Sequence, residues 1–201
     1  MRAFYNAWWA ELEPTFAHPT EIHLGHPDHP LVSLTGHDWI QEALPPWSQR
    51  HIRSAEGFGP ARGRAAKGRS ARAEETRAAP AKSAHQGHWA VKVVTPGTYE
   101  ISLRRWPMEA DRPITAALPP GADVPGATKA FRAHEGVAIP AITAALRLDG
   151  RELETKPVNA SDTEVRFTVA LTVGSHQLAP AFITADGHEV GAYYAVITKQ
   201  R

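Results

Sequence analysis

The sequence predicts a mainly β protein: an antiparallel β-sandwich-like domain with a short N-terminal helix and one long disordered insertion. Three observations carry this. Val165, Phe167, Val169, Leu171 and Val173 alternate with polar or small residues, the period of a strand with one buried face. Trp89, Val91 and Val93 alternate before Pro96-Gly97, and Tyr99, Ile101 and Leu103 alternate after it, which reads as a hairpin. Residues 59–87 contain no apolar side chain larger than Ala, so they cannot bury enough surface to offset their ordering entropy.

Taken in order, Met1–Leu12 reads as a helix, with Phe4, Trp8 and Leu12 on one side, Tyr5 and Trp9 beside them, and Pro14 stopping it. An isolated helix of this length is marginal, so its aromatics need a surface to pack on. Residues 1–14 are therefore read as a linking helix, the last helix of a preceding domain. Thr20–Leu24 and Leu31–Thr35 are short strands, and residues 36–58 read as irregular. Strands follow at 88–95, 98–106 and Ile142–Leu148, the last ending in the turn pair Asp149-Gly150. Gly174-Ser175 turns into a strand at Leu178–Ile183, and Asp186-Gly187 turns into Gly191–Thr198. Residues 15–58 and 88–201 form one β-rich domain in this reading.

Composition removes several function classes. The net charge of the 201 residues is +1, which implies neither a nucleic-acid partner nor an anionic membrane. The basic tract 59–87 alone is +5, from seven bases and two acids, so the remainder carries −4. That tract reads as a solvated linker rather than a polymer-binding arm. There is no cysteine, hence no disulfide, thiolate metal site or cysteine nucleophile. No run of 18 apolar residues offers a helical membrane span. The first ten residues lack the apolar block of a signal peptide, and the compartment is left unassigned.

Two groups of side chains suggest sites. His18, His23, His26, His29 and His37 cluster in sequence, but without a cysteine partner or a recognised ligand spacing, so solvated loop histidines are the favoured reading and no metal is assigned. The segment His37–Arg53 gathers two Trp, two His, Gln49, Arg50 and Arg53 with few aliphatics. Loops on a rigid sandwich carry recognition groups, so this one is read as the functional edge. Trp47, Gln49 and His51 suit a sugar: an aromatic face with donors and acceptors beside it. His37-Asp38 could pair a base with an orienting carboxylate, but no nucleophile is in view. Asp38 reads instead as a loop pin and Trp39 as an inward-packed side chain. Arg104 and Arg105 fall on opposite faces, with Glu109 or Asp111 as partners for the inner one.

Several motifs together resemble a known family. Trp89-x-Val91 followed by Gly97-x-Tyr-Glu-Ile-x-Leu-Arg-Arg-Trp-Pro107, Tyr5-Asn-Ala-Trp-Trp-Ala10, Thr35-Gly-His-Asp-Trp39 with Pro46-Trp-Ser-Gln49, and Asp186-Gly187 leading to Gly191-Ala-Tyr-Tyr194 stand in one order. This wording resembles the C-terminal region of bacterial arylsulfatases, the alkaline-phosphatase-like type I sulfatases. The resemblance implies an accessory subdomain that packs on a sulfatase catalytic domain, in cis or in trans, and helps to wall the substrate pocket. Within it, His37, Asp38, Trp47, Gln49 and His51 would stand at the pocket rim, and Trp8 and Trp9 would mark the docking face. The family's formylglycine and calcium belong to its catalytic domain. The formylglycine motif Cys/Ser-x-Pro-x-Arg and the early Asp-Asp metal pair do not occur in this sequence. The expectation is thus a fragment or split part of a sulfuric ester hydrolase, without catalysis of its own, exported to the periplasm or outside if its whole is. A free-standing module for a glycan or sulfated glycan is the competing expectation.

Overall fold

In the computed structural model, residues 1–17, 19–40, 49–55, 87–121 and 135–200 are described; for Ala17 and Gln49–His51 this covers the backbone only. Of the insertion 59–87, Gly87 alone is among them, and it packs against Trp39 rather than being a free part of a linker. The described chain is mainly β. Helix α1 (Arg2–Leu12) runs into a 3₁₀ turn at Glu13–Ala17. Strands β1 (Ile22–Leu24) and β2 (Leu31–Leu34) are followed by a 3₁₀ turn at Gly36–Asp38 and a second helix, α2 (Gln49–Ser54). Then come β3 (Trp89–Val93), β4 (Gly97–Arg104), β5 (Ala141–Leu148), β6 (Arg151–Pro157), β7 (Val165–Leu171), β8 (Gly174–Leu178), β9 (Ala181–Thr184), β10 (Glu189–Gly191) and β11 (Tyr194–Lys199).

The strands make two sheets. One has seven strands, ordered β1-β3-β8-β5-β9-β10 with β6 also on β5; the other has four, ordered β2-β11-β4-β7. All pairings are antiparallel except β1 with β3. The inner faces share one core. Leu24, Trp89, Val91, Val93, Leu146, Leu178 and Phe182 come from the larger sheet. Leu34, Tyr99, Ile101, Leu103, Phe167, Ala195 and Ile197 come from the smaller one. None of these is more than 1% exposed. At about 1.5–3 kcal/mol for each large apolar side chain buried, this layer is the main stabilising term.

The alternation predicts the strands well, but not always their partners. Pro96-Gly97 does not close a hairpin. β3 pairs with β1 and β8, whereas β4 pairs with β11 and β7. The turn carries the chain from one sheet to the other, so Trp89, Val91 and Val93 face Tyr99, Ile101 and Leu103 across the core. Gly174 does the same between β7 and β8, which lie in different sheets. Both glycines open the strand after the crossing at φ near +148° and +147°, a region where a Cβ is strained. Strand β8 therefore begins at Gly174 itself, and Leu178–Ile183 divides between β8 and β9. Asp149-Gly150 and Asp186-Gly187 do close hairpins, β5–β6 and β9–β10.

Three local expectations need correction. Residues 36–58 are not wholly irregular, because α2 lies within them. Pro14 does not stop α1 outright; its fixed φ suits the 3₁₀ turn that continues the helix. Ile142 faces out, half exposed, because the β5 register shifts between Ala141 and Thr143.

Candidate functional site

The edge predicted to carry function begins at the end of β2. Thr35 caps the 3₁₀ turn Gly36–Asp38: its hydroxyl accepts from the His37 amide at 3.2 Å. The Asp38 carboxylate in turn accepts from the Thr35 amide and hydroxyl, each at 3.0 Å. This reciprocal box fixes the turn. Asp38 is thus the loop pin expected from sequence, engaged with Thr35 rather than orienting His37. His37 itself is exposed. The turn's Thr35 carbonyl accepts from the Trp89 indole at 2.8 Å, tying the loop to β3.

Trp39 follows and turns inward, 2% exposed. It meets Trp89 edge-on at 4.6 Å between ring centroids and lies 5.8 Å from Tyr193. Ile40 and His88 then exchange two backbone hydrogen bonds, closing the two ends of the intervening segment 41–87 onto each other. Gly87 passes so close to the Trp39 indole that a Cβ there would collide with the ring and with the Ile40 carbonyl at 2.5 Å. A glycine is required by that approach, not by its backbone angle.

Trp47 lies outside the described residues. Gln49 and His51 are placed by backbone alone, in α2. What α2 does show is its buried side: Ile52, Arg53 and Ala55 enter the core cluster or its margin. Arg53 donates to the Pro119 carbonyl at 3.1 Å, and its own carbonyl accepts from Val137 at 2.8 Å. His37 and Asp38 bond within their own turn, whereas α2 is held through Arg53 to residues 119 and 137.

That core contains the residue whose role the sequence least announced. Arg105 is fully buried. Its guanidinium donates to Val137 O at 2.6 Å and, more weakly, to Ile114 O at 3.4 Å and Ala116 O at 3.5 Å. It also lies 4.2 Å over the Trp106 ring. Burial lowers its pKa to about 10, so it remains a cation at neutral pH. Burial raises the phenol of the nearby Tyr193 in the same way. The expected partners, Glu109 or Asp111, are replaced by carbonyls: the residues after β4 turn Arg105 into the molecule and leave those carboxylates outside. Leu118 and Gly136 also exchange two backbone bonds. Arg53 and Arg105 thus hold together the neck formed by residues 114–119 and 136–137, the described chain on either side of segment 122–134. Arg104 takes the opposite face, paired with Glu164 at 2.6 Å.

Trp8 and Trp9, the predicted docking residues, are 46% and 41% exposed on α1. Tyr5 lies 5.8 Å from Trp8 and is stacked on Trp9 at 6.2 Å; Phe16 lies 5.6 Å from Trp9. No residue of α1 is buried. The aromatics pack on one another.

Comparison with known proteins adds no assignment. No protein-family model and no curated protein matches this chain.

The histidine cluster divides. His18 lies outside the described residues and His37 stands apart on its turn. His23, His26 and His29 line an open hollow of about 550 Å³ with Ile22, Leu31 and Val32, the rings of His26 and His29 being 5.8 Å apart. Among the described residues, no three His, Asp or Glu side chains are grouped to hold a metal ion. Nor does any described histidine meet a serine or threonine hydroxyl in a base–nucleophile contact at the predicted rim.

Proposed function

We propose that this chain is the C-terminal accessory subdomain of an arylsulfatase-like sulfuric ester hydrolase. In this reading it docks on a sulfatase catalytic domain through α1 and presents the His37–Arg53 edge to the substrate pocket. The reading rests on the ordered motifs from Tyr5 to Tyr194. The single structural observation that supports it most is α1. An 11-residue helix with no buried residue and four exposed aromatics has no packing of its own to stabilise it. A partner surface covering Tyr5, Trp8, Trp9 and Phe16 would supply that packing.

Chemistry follows from the division of labour. The formylglycine nucleophile and calcium of such an enzyme would stand in the catalytic domain. This chain would contribute hydrogen-bond donors at the rim: His37 on its capped turn, and Trp47, Gln49 and His51 on and before α2. The buried guanidiniums of Arg53 and Arg105 would hold α2 and the neck of segment 122–134 in place behind them.

The test is a chimera in which this chain replaces the C-terminal region of a bacterial arylsulfatase. The chimera should hydrolyse aryl sulfates, while the isolated chain with added calcium should not. Changing His37, Trp47 or Gln49 to Ala should lower kcat/KM about tenfold, roughly 1.4 kcal/mol, with unchanged folding. Trp8→Ser with Trp9→Ser should release the subdomain from a catalytic domain supplied in trans. Full activity in all three rim variants removes the rim role; undiminished docking of the double variant removes the role of α1.

A further inference from the structure

The outer face of the seven-stranded sheet carries a polar hollow that the proposed function does not use. Its volume is about 430 Å³. The floor is Ala90, only 8% exposed although it points away from the core. Register explains the floor. Ala90 sits opposite Gln177 on β8, and Lys92 opposite Ser175. Ile22 pairs with Val91 across the parallel β1–β3 junction, so Glu21 flanks Ala90 on the other side. A methyl group between longer neighbours leaves a depression.

The walls are hydrogen-bonding groups from four parts of the sheet. Glu21 stands before β1, His88 before β3, Ser175 and Gln177 on β8, and Asp149 in the β5–β6 turn. The side chains of Glu21, His88, Ser175 and Gln177 make no hydrogen bond to the other described residues. Asp149 is fixed: it accepts from the Gln177 amide at 2.8 Å and pairs with the His176 ring at 2.7 Å. The wall is therefore rigid where Asp149 lies and unsatisfied elsewhere.

We infer that this hollow is a binding site for a neutral pyranose, held through vicinal hydroxyls. Carboxylates accept from adjacent hydroxyls, an amide and a neutral imidazole both donate and accept, and a serine hydroxyl does either. The desolvated His88 ring is held below the ordinary histidine pKa, so it stays neutral at pH 7. Glu21 and Asp149 disfavour a sulfated or carboxylated sugar by like-charge repulsion. The Asp149 carboxylate is already engaged by the His176 ring and the Gln177 amide, which weakens the case for a cationic ligand. The site shares no residue with the rim or with α1, so it stands or falls separately from the sulfatase reading.

The experiment is a titration of the full ¹⁵N-labelled chain with methyl glucoside, methyl mannoside and methyl galactoside. At least one should bind saturably with a Kd on the order of 1 mM, the scale of a single solvent-exposed ring. Amide shifts should centre on Ala90 and Ser175–Gln177. Glu21→Ala and Gln177→Ala remove a half-buried and an exposed side chain that hold nothing else in place, and should each weaken binding about tenfold with an unchanged melting temperature. Ala90→Leu fills the floor without removing a polar group and should abolish binding. The inference is overturned by any of four results: no saturable shift for any glycoside up to about 50 mM, shifts centred elsewhere, full affinity in both Ala variants, or tighter binding of glucose 6-sulfate or of an alkylammonium ion than of the neutral sugars.

Discussion

Replacing Arg105 with Met tests whether a single buried cation organises the functional edge. Met matches the length of the side chain but has neither donors nor charge. The variant loses the 2.6 Å bond to Val137 O, worth about 1.5–3 kcal/mol for a charged donor, and leaves that part-buried carbonyl without this partner. The two longer contacts, at 3.4 and 3.5 Å, add about 0.5 kcal/mol together. Loss of the guanidinium over Trp106 removes about 1 kcal/mol more. Working the other way, Met escapes the desolvation that lowers the Arg105 pKa to about 10. The net cost is about 3 kcal/mol, or a fall in Tm of roughly 6–12 °C for a domain of this size. Urea unfolding followed by tryptophan fluorescence measures it, with the m-value as a check that the native state keeps its compactness. Arg105→Lys should fall between wild type and Met, since an ammonium keeps the charge but cannot reach three carbonyls at once. A Met variant within 1 kcal/mol of wild type would refute the clamp and with it the rigid neck of segment 122–134.

The remaining predictions are smaller in scope. Gly87→Ala should lower Tm by several degrees, because the methyl collides with the Trp39 indole; an unchanged Tm in a thermal scan would show that the ring has room to move. Asp38→Ala should cost about 1 kcal/mol by removing the cap on Thr35, measured by the same urea titration. The Asp149–His176 pair should make stability pH-dependent. His176 is raised from 6.5 chiefly by its hydrogen bond to Asp149; for Asp149, desolvation pushes up but the bonds from His176 and the Gln177 amide outweigh it and lower it from 3.8. The pair's contribution is thus complete between about pH 4 and 6.5, lost at higher pH as His176 deprotonates and lost at lower pH as Asp149 protonates. Half-exposed as Asp149 is, a few tenths of a kcal/mol are expected. A Tm difference between wild type and Asp149→Asn that stays flat from pH 3 to 9 would contradict it. Trp8→Ser with Trp9→Ser should reduce self-association in sedimentation while leaving the unfolding of the sandwich unchanged.

Much of the fold was legible because period-two patterning reports burial directly. Val165, Phe167 and Leu171 could face one way only, and they do. What the pattern does not report is which strand lies alongside. Trp89 and Tyr99 are apolar on the inner face whether β3 and β4 pair or oppose, so Pro96-Gly97 reads equally as a hairpin or a crossing. Strand β6 is illegible for the opposite reason: Arg151–Pro157 pairs with β5 but has no buried residue, so no apolar face betrays it. At the site, Asp38 and Trp39 were readable, since a short acidic cap before a tryptophan has a local meaning. Arg105 was only half readable. Alternation sends one of two adjacent arginines inward, but its partners are carbonyls of residues 114, 116 and 137, and backbone acceptors leave no trace in side-chain identity. The pyranose hollow depends on Ala90 being small beside Gln177 and Glu21, a relation between three strands that no linear pattern contains.

The placement of β2 constrains how the protein is made. This strand, complete by residue 34, has among the described residues β11 as its one neighbour, which spans Tyr194–Lys199. Its companion β1 waits for β3, and β3 for β8. During synthesis the first strands emerge with no edge to join, and the smaller sheet cannot be sealed until β11 has followed them. The domain should therefore fold only once β11 is available, in one concerted closure, at the slow end expected of chains whose pairings join distant residues. A stop codon ahead of residue 194 would not merely fray an edge. It would strip β11 from the middle of its sheet and cast β2 loose with it, and the whole sandwich would be lost.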